Sequence, residues 1–170
     1  MTKPKPKAIP IPEEEFPEAL HILTPYPDFL LSAKALPLPT LETQRVYARH
    51  LYLALTVPGY GYREHPEVKR WKDCEVAVLF YMVSLCSEYW WRTGRDEMMQ
   101  WVRKELQGIY AQGKKNKLKT RLGEEGDDEE PGGKNLTPPK LKYPRWWNSD
   151  EKHAQDRRMV EESSHDETGV

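Results

Sequence analysis

Apolar residues recur along the middle of this chain at the three- and four-residue spacing of helix faces, and nowhere do they alternate with the period of two that marks a half-buried strand. Asp28 stands where a cap for a short helix over "FLLSAKAL" belongs, with Pro37 and Pro39 as its stop. Thr40 is the expected cap of a second helix, "LETQRVYARHLYLAL", which runs into the breaker "VPGYGY". Pro66 suits a first helical turn, and "PEVKRWKD" leads into "CEVAVLFYMVSLCSEYWWR", apolar on nearly every side and therefore the expected central helix. Asp96 opens a further amphipathic helix carrying Met98, Met99, Trp101, Val102, Leu106 and Ile109. The pattern predicts an all-α fold with Leu51, Leu55, Val78, Leu79, Met82, Leu85, Cys86 and Trp101 inside one bundle.

Two stretches lack this periodicity. Residues 1–23 alternate prolines with charges, which denies helical hydrogen bonds, so an extended proline-rich arm is expected. Residues 113–137 pass from a run of cations to a run of carboxylates and end in glycines and prolines, the composition of a mobile charged linker. The expected organisation is then the arm at 1–23, a helical core at 24–112, the linker at 113–137, a docking segment at 138–162 and a tail at 163–170. In the docking segment, Trp146 and Trp147 suit a return to the core, and Ser149 is placed to cap a short charged helix.

With 170 residues and 38% hydrophobic content the chain supports one modest core. Twenty-six basic against twenty-seven acidic residues give a net charge of −1, so any attraction to a polyanion has to come from a local patch. Cys74 and Cys86 are too few for a disulfide framework and too far apart for a structural zinc pair; buried thiols are expected. No two histidines share the one-turn spacing of helix-borne metal ligands, and no phosphate loop, nucleophile elbow or paired-cysteine motif occurs, so neither metal nor cofactor is expected. No apolar run suits a signal peptide or reaches the roughly 20 residues of a membrane span, which gives the expectation of a soluble, intracellular protein without a membrane partner.

Local chemistry gathers in two places. The loop "PGYGYREHP" brings two tyrosines, Arg63 and His65 to one junction, where they read either as a tight connection covering the core or as rings for an extruded base with cations for phosphate. On the second helix Arg45 and Arg49 lie one turn apart and repel unless an anion or carboxylates lie close.

Pro25-Tyr26-Pro27-Asp28-Phe29, then Ser32-Ala33-Lys34, Gln44-Arg45-Val46 and His65-Pro66-x-Val68-x-x-Trp71 stand in one ungapped order. In these motifs the chain resembles the endonuclease V-like pyrimidine-dimer DNA glycosylase family, in its P-Y-P-D-F branch, over about residues 24–97. Trp146 and His153-Ala154-Gln155-Asp156-Arg157 echo the branch's H-x-x-H-R, with aspartate at the second histidine. The resemblance implies a helical domain that grips and kinks damaged duplex DNA and cleaves the glycosidic bond of a pyrimidine dimer. The best-known members attack with the N-terminal amine, form a Schiff base and break the strand by elimination. A glutamate beside an arginine on the early helix assists them.

Carried over, that arginine is Arg45, and the glutamate position holds Tyr47; the branch's lysine is Thr43. A phenol with a pKa near 10 brings no negative charge to a cationic sugar at neutral pH. Some twenty residues ahead of the motif also separate the chain start from a pocket. Glu42, five positions before Tyr47, is poorly placed to substitute. The resemblance therefore gives Arg45 and Tyr47 as catalytic positions and places Arg45 and His65 near the family's DNA-binding cleft. Arg49 on the same helix, Arg63 in the loop, and His153 and Arg157 are expected to join them in one DNA-binding surface. Double-stranded DNA is the expected partner, with a protein partner for the proline-rich arm as a second. Two readings stay open: a DNA-repair glycosylase or lyase with altered catalysis, and a catalytically silent relative serving as a structural or protein-interaction module.

Overall fold

A computed structural model describes residues 15–121 and 141–165. All regular structure among them is helical, as the periodicity predicts: α1 (Phe29–Ala35), α2 (Leu38–Thr56), α3 (Pro66–Arg70), α4 (Glu75–Thr93), α5 (Met98–Arg121), a 3-10 turn (Arg145–Asn148) and α6 (Asp150–His165).

Local rules account for the helix ends. Asp28 caps α1, its Oδ1 accepting from the Leu31 amide at 2.7 Å. Helix α2 starts at Leu38, ahead of the expected cap at Thr40, because Pro39 falls in the first turn, where a missing N–H costs nothing. Gly94 ends α4 in the left-handed conformation, φ +70°, and its amide donates to the Trp90 carbonyl at 2.7 Å. Asp96 accepts from the Met98 amide at 2.9 Å and so caps α5.

Helix α4 is the central element, packed against α1, α2 and α5 and burying Val78, Leu79, Met82, Leu85 and Cys86. Leu51 is buried as well, while Leu55 and Trp101 lie half-buried at the edge of the core. The expected boundary at residue 24 excludes a part of this core. Phe16, Leu20, Ile22 and Leu23 are all buried. The prolines removed helical periodicity without removing burial, since an extended chain can bury side chains one by one if its amides find partners. The Ile22, Leu23 and Thr24 amides donate to Glu67, Gln44 and Asp156 respectively.

At the other end α5 continues to Arg121, past the expected linker start at 113. The remaining parts of the expected arm, linker and tail, together with the first residues of the expected docking segment, lie outside the described residues, at 1–14, 122–140 and 166–170. Trp147 is buried, its ring edge-on to Phe29 at 4.8 Å. Trp146 stands edge-on to Trp71 at 5.2 Å and donates from Nε1 to the Arg70 carbonyl. Together they seat α6 against the bundle.

Candidate functional site

The two sides of α2 serve different ends. On one side the Arg45 guanidinium grips Asp96 through two nitrogens, Nε to Oδ2 at 3.1 Å and Nη2 to Oδ1, with its plane 3.7 Å from the centre of the Tyr89 ring. Arg45 is 8% exposed and the Asp96 side chain is fully buried. The neighbouring Cys86 thiol is pushed up to about 12 by its burial and by the Asp96 carboxylate, which leaves it unreactive. One turn on, the half-buried Arg49 lies 5.6 Å from the Trp101 ring centre, its Nε without a hydrogen-bond partner. The answer to the repulsion between the two arginines is therefore a buried carboxylate and two aromatic rings.

On the other side, about 100° further round per residue, Gln44 and His50 face the chain at residues 16–23. Gln44 accepts from the Leu23 amide at 2.8 Å and donates to the His21 carbonyl at 2.9 Å, and His50 Nδ1 meets the Tyr60 hydroxyl at 2.7 Å. Tyr47, three residues from each, shares their side and packs half-buried against the core. Two residues apart on one helix, Arg45 and Tyr47 point to roughly opposite sides of α2, about 200° apart.

The loop after α2 is built on glycine and on a strained tyrosine. Gly59 and Gly61 have φ of +83° and +91°, and Tyr62 follows at +62°, a region that a bulky residue enters only at a cost. The Tyr62 ring stacks flat on Phe16, centroids 3.9 Å apart, with the Tyr60 ring tilted beside it at 6.2 Å, and the residue is 49% exposed. Arg63 is exposed. Both nitrogens of the half-buried His65 are engaged: Nδ1 accepts from the Glu67 amide, capping α3, and Nε2 donates to the Glu18 carbonyl at 3.0 Å. A cleft of 470 Å³ opens beside it, walled by Glu18, His21, His65, Glu67 and Arg70.

Behind this cleft lies a charged cluster that sequence reasoning missed. Both ring nitrogens of His21 face carboxylates, Nδ1 to Glu67 and Nε2 to Asp156, each at 3.2 Å. Hydrogen bonds to Asp156 and then Glu67 raise the His21 pKa above its ordinary 6.5, against the effect of burial. Burial pushes the Asp156 carboxyl up, but hydrogen bonds from His21, Lys152 and the Thr24 amide outweigh it and hold the group below its ordinary range. Lys152, next to Asp156, is itself lowered by burial. Glu67 also accepts from Arg70 at 3.0 Å and from the Trp71 indole at 2.9 Å. Every oxygen of the two carboxylates is thus engaged by protein groups, and the cluster acts as a clasp joining residues 21–24 to α3 and α6.

His153 and Arg157 belong to the same docking. His153 is 1% exposed, its ring nitrogens meeting the Thr24 and Trp147 carbonyls at 2.5 and 2.8 Å. Arg157 donates to the Pro25 carbonyl at 2.8 Å and to Asp150 at 3.2 Å. Both hold α6 onto the backbone of the Pro-Tyr-Pro-Asp-Phe segment.

Residues 21–101 match the family model described as pyrimidine dimer DNA glycosylase. No curated protein and no solved structure matches the chain. The match makes α1 to α4 and the start of α5 pyrimidine-dimer-glycosylase-like. It includes Arg45, Tyr47, Arg49, Arg63 and His65, and it begins at His21, the residue of the clasp. His153, Asp156 and Arg157 lie beyond it. The residues expected to surround one cleft fall into three groups: Arg45 and Arg49 toward α5 and Arg63 and His65 around the loop, within the matched part, and His153 and Arg157 along α6, outside it. Among the described residues no helix is long and apolar enough to cross a membrane.

Proposed function

We propose that this protein binds duplex DNA as a relative of the pyrimidine-dimer glycosylases and does not carry out their Schiff-base chemistry. The observation that carries the reading is the family match over residues 21–101. The loop at Tyr62 and Arg63 is where the geometry fits a DNA contact best. The Tyr62 ring is seated on Phe16 and half exposed, which suits it to stacking, and the adjacent Arg63 is exposed for phosphate. A left-handed tyrosine costs of order 1–3 kcal/mol, and such strain is retained where it positions a group for use. Arg45 enters this proposal as the anchor of α2 to α5, since Asp96 already neutralises it.

Two features argue against the amine route. Tyr47 supplies a neutral phenol where the resemblance calls for a carboxylate. The backbone nitrogens of residues 22–24, where the match begins, are peptide amides committed to Glu67, Gln44 and Asp156, and an amide is no nucleophile at carbonyl carbon.

The reading is tested by titrating a labelled duplex with the protein by fluorescence anisotropy across a salt series. The duplex affinity falls with salt, and Arg63→Ala lowers both the affinity and the slope, by about 0.9 for one lost phosphate contact. Absence of binding at low salt, or an Arg63→Ala protein with unchanged affinity and slope, overturns the assignment and leaves the protein-interaction reading as the better one.

A further inference from the structure

Helix α4 ends in two exposed tryptophans. Trp91 is 79% exposed and Trp90 54%, although each would remove a large apolar area from water if covered. Two shallow grooves of 570 and 500 Å³ meet at Trp91 and Ser87. One runs to Leu30 and Lys34 on α1, and the other to Met99 and Arg103 on α5.

The charges along these grooves are unequal. Their carboxylates are already neutralised: Glu88 by Arg92 at 2.8 Å and Asp96 by Arg45. Lys34 and Arg103 are exposed, and neither has a carboxylate partner among the described residues. Flat apolar rings between two uncompensated cations are complementary to a ligand that is itself flat, apolar and anionic at regular intervals. A strand of unpaired nucleotides has that chemistry, whereas a protein partner would need only the rings.

We propose that Trp90, Trp91, Lys34 and Arg103 form a binding site for single-stranded nucleic acid, with bases stacked on the indoles and phosphates at the two cations. The site goes beyond the duplex reading and does not depend on it. It sits toward the other end of α2 from the Tyr62 loop: Tyr89 touches Arg45, and from residue 45 to residue 56 the axis runs roughly 16 Å at 1.5 Å per residue. Sequence reasoning passed over it because "EYWWR" reads as the end of a helix apolar on all sides.

The test is fluorescence anisotropy of a labelled oligothymidylate of about 12 nucleotides at low salt, within the usual site size for such surfaces. Wild-type protein binds it. Trp91→Ala weakens binding by about ten-fold, the range for losing one stacked base, while its circular dichroism and melting temperature stay at the wild-type values because the ring is exposed. Combining Lys34→Ala with Arg103→Ala lowers the salt slope by about 1.4, the value for two single-strand phosphate contacts. Inorganic polyphosphate, which has charges without rings, responds to the cation variants and not to Trp91→Ala. The proposal is overturned by a wild type that does not bind the oligothymidylate, by an affinity that Trp91→Ala leaves unchanged, or by polyphosphate binding that falls equally in Trp91→Ala. It is also overturned by a dimer, seen in sedimentation, that Trp91→Ala dissolves, which would make the patch a contact between copies of this chain.

Discussion

Removing the Asp96 carboxylate tests the assignment of Arg45 to the architecture. In Asp96→Ala the guanidinium stays buried at 8% exposure, over Tyr89, without its counter-charge. Stranding one partner of a buried pair costs about 3–5 kcal/mol. The same substitution removes the acceptor for the Met98 amide at the start of α5, worth about 1 kcal/mol more. In a protein of this size each kcal/mol moves the melting temperature by roughly 3–4 °C, so a fall of roughly 12–24 °C is expected in a calorimetric scan. Arg45→Met leaves the opposite charge stranded and should cost a similar amount, less the cap. The double variant buries neither charge, and a coupling of about 1–3 kcal/mol should make it more stable than the sum of the single changes predicts. If both single variants melt within about 3 °C of wild type and their effects add, Arg45 is not a buried structural cation and its assignment fails.

Three other outcomes follow from the same geometry. His21 gains protons in the folded state, so its contribution is complete below the unfolded value of 6.5 and disappears as pH rises through the raised folded value. Urea midpoints of wild type relative to His21→Gln should therefore fall as pH rises above the ordinary 6.5, and a constant difference would refute the clasp. Asp156 acts in the opposite sense, its contribution present above its ordinary 3.8 and lost as pH falls through the lowered value, so Asp156→Asn should flatten the acid limb of the stability curve. Trp147→Ala removes the ring that seats α6 on Phe29 and should cost about 3–5 kcal/mol, with amide exchange rising first in Asp150–His165; uniform acceleration over all helices would contradict a separately docked α6.

The helices were legible because their signals are local. Asp28 at a cap, Asp96 at the start of α5 and the apolar run from Cys74 to Cys86 each act within a few residues. The segment at 16–23 was not legible, because its burial depends on amides paired to Gln44, Glu67 and Asp156, residues 21, 45 and 132 positions away. Arg45 shows the same division. Its place on α2 could be read from the sequence, whereas Asp96, 51 residues later, could be paired with it only once α4 and α5 were folded. His153 and Arg157 entered the expected DNA-binding surface through the H-x-x-H-R resemblance; in the fold they hold backbone carbonyls of the Thr24-Pro25 segment. The one available sign of the clasp was the aspartate at 156 in place of the second histidine of an H-x-x-H-R motif.

Restoring the missing carboxylate separates the two halves of the functional reading. Tyr47 lies on the side of α2 turned to residues 16–23, away from Arg45, so Tyr47→Glu should leave abasic-duplex processing absent. Strand scission by that variant would show that carboxylate loss alone had silenced the site.

The most direct measurement is borohydride reduction of wild-type protein mixed with an abasic-site duplex, at a concentration where anisotropy shows the duplex to be bound. A Schiff base to any amine of the protein is fixed by reduction as a covalent adduct on a denaturing gel. The account predicts a bound duplex and no adduct. A salt-sensitive adduct that forms on abasic and not on intact duplex would contradict it and restore the lyase reading.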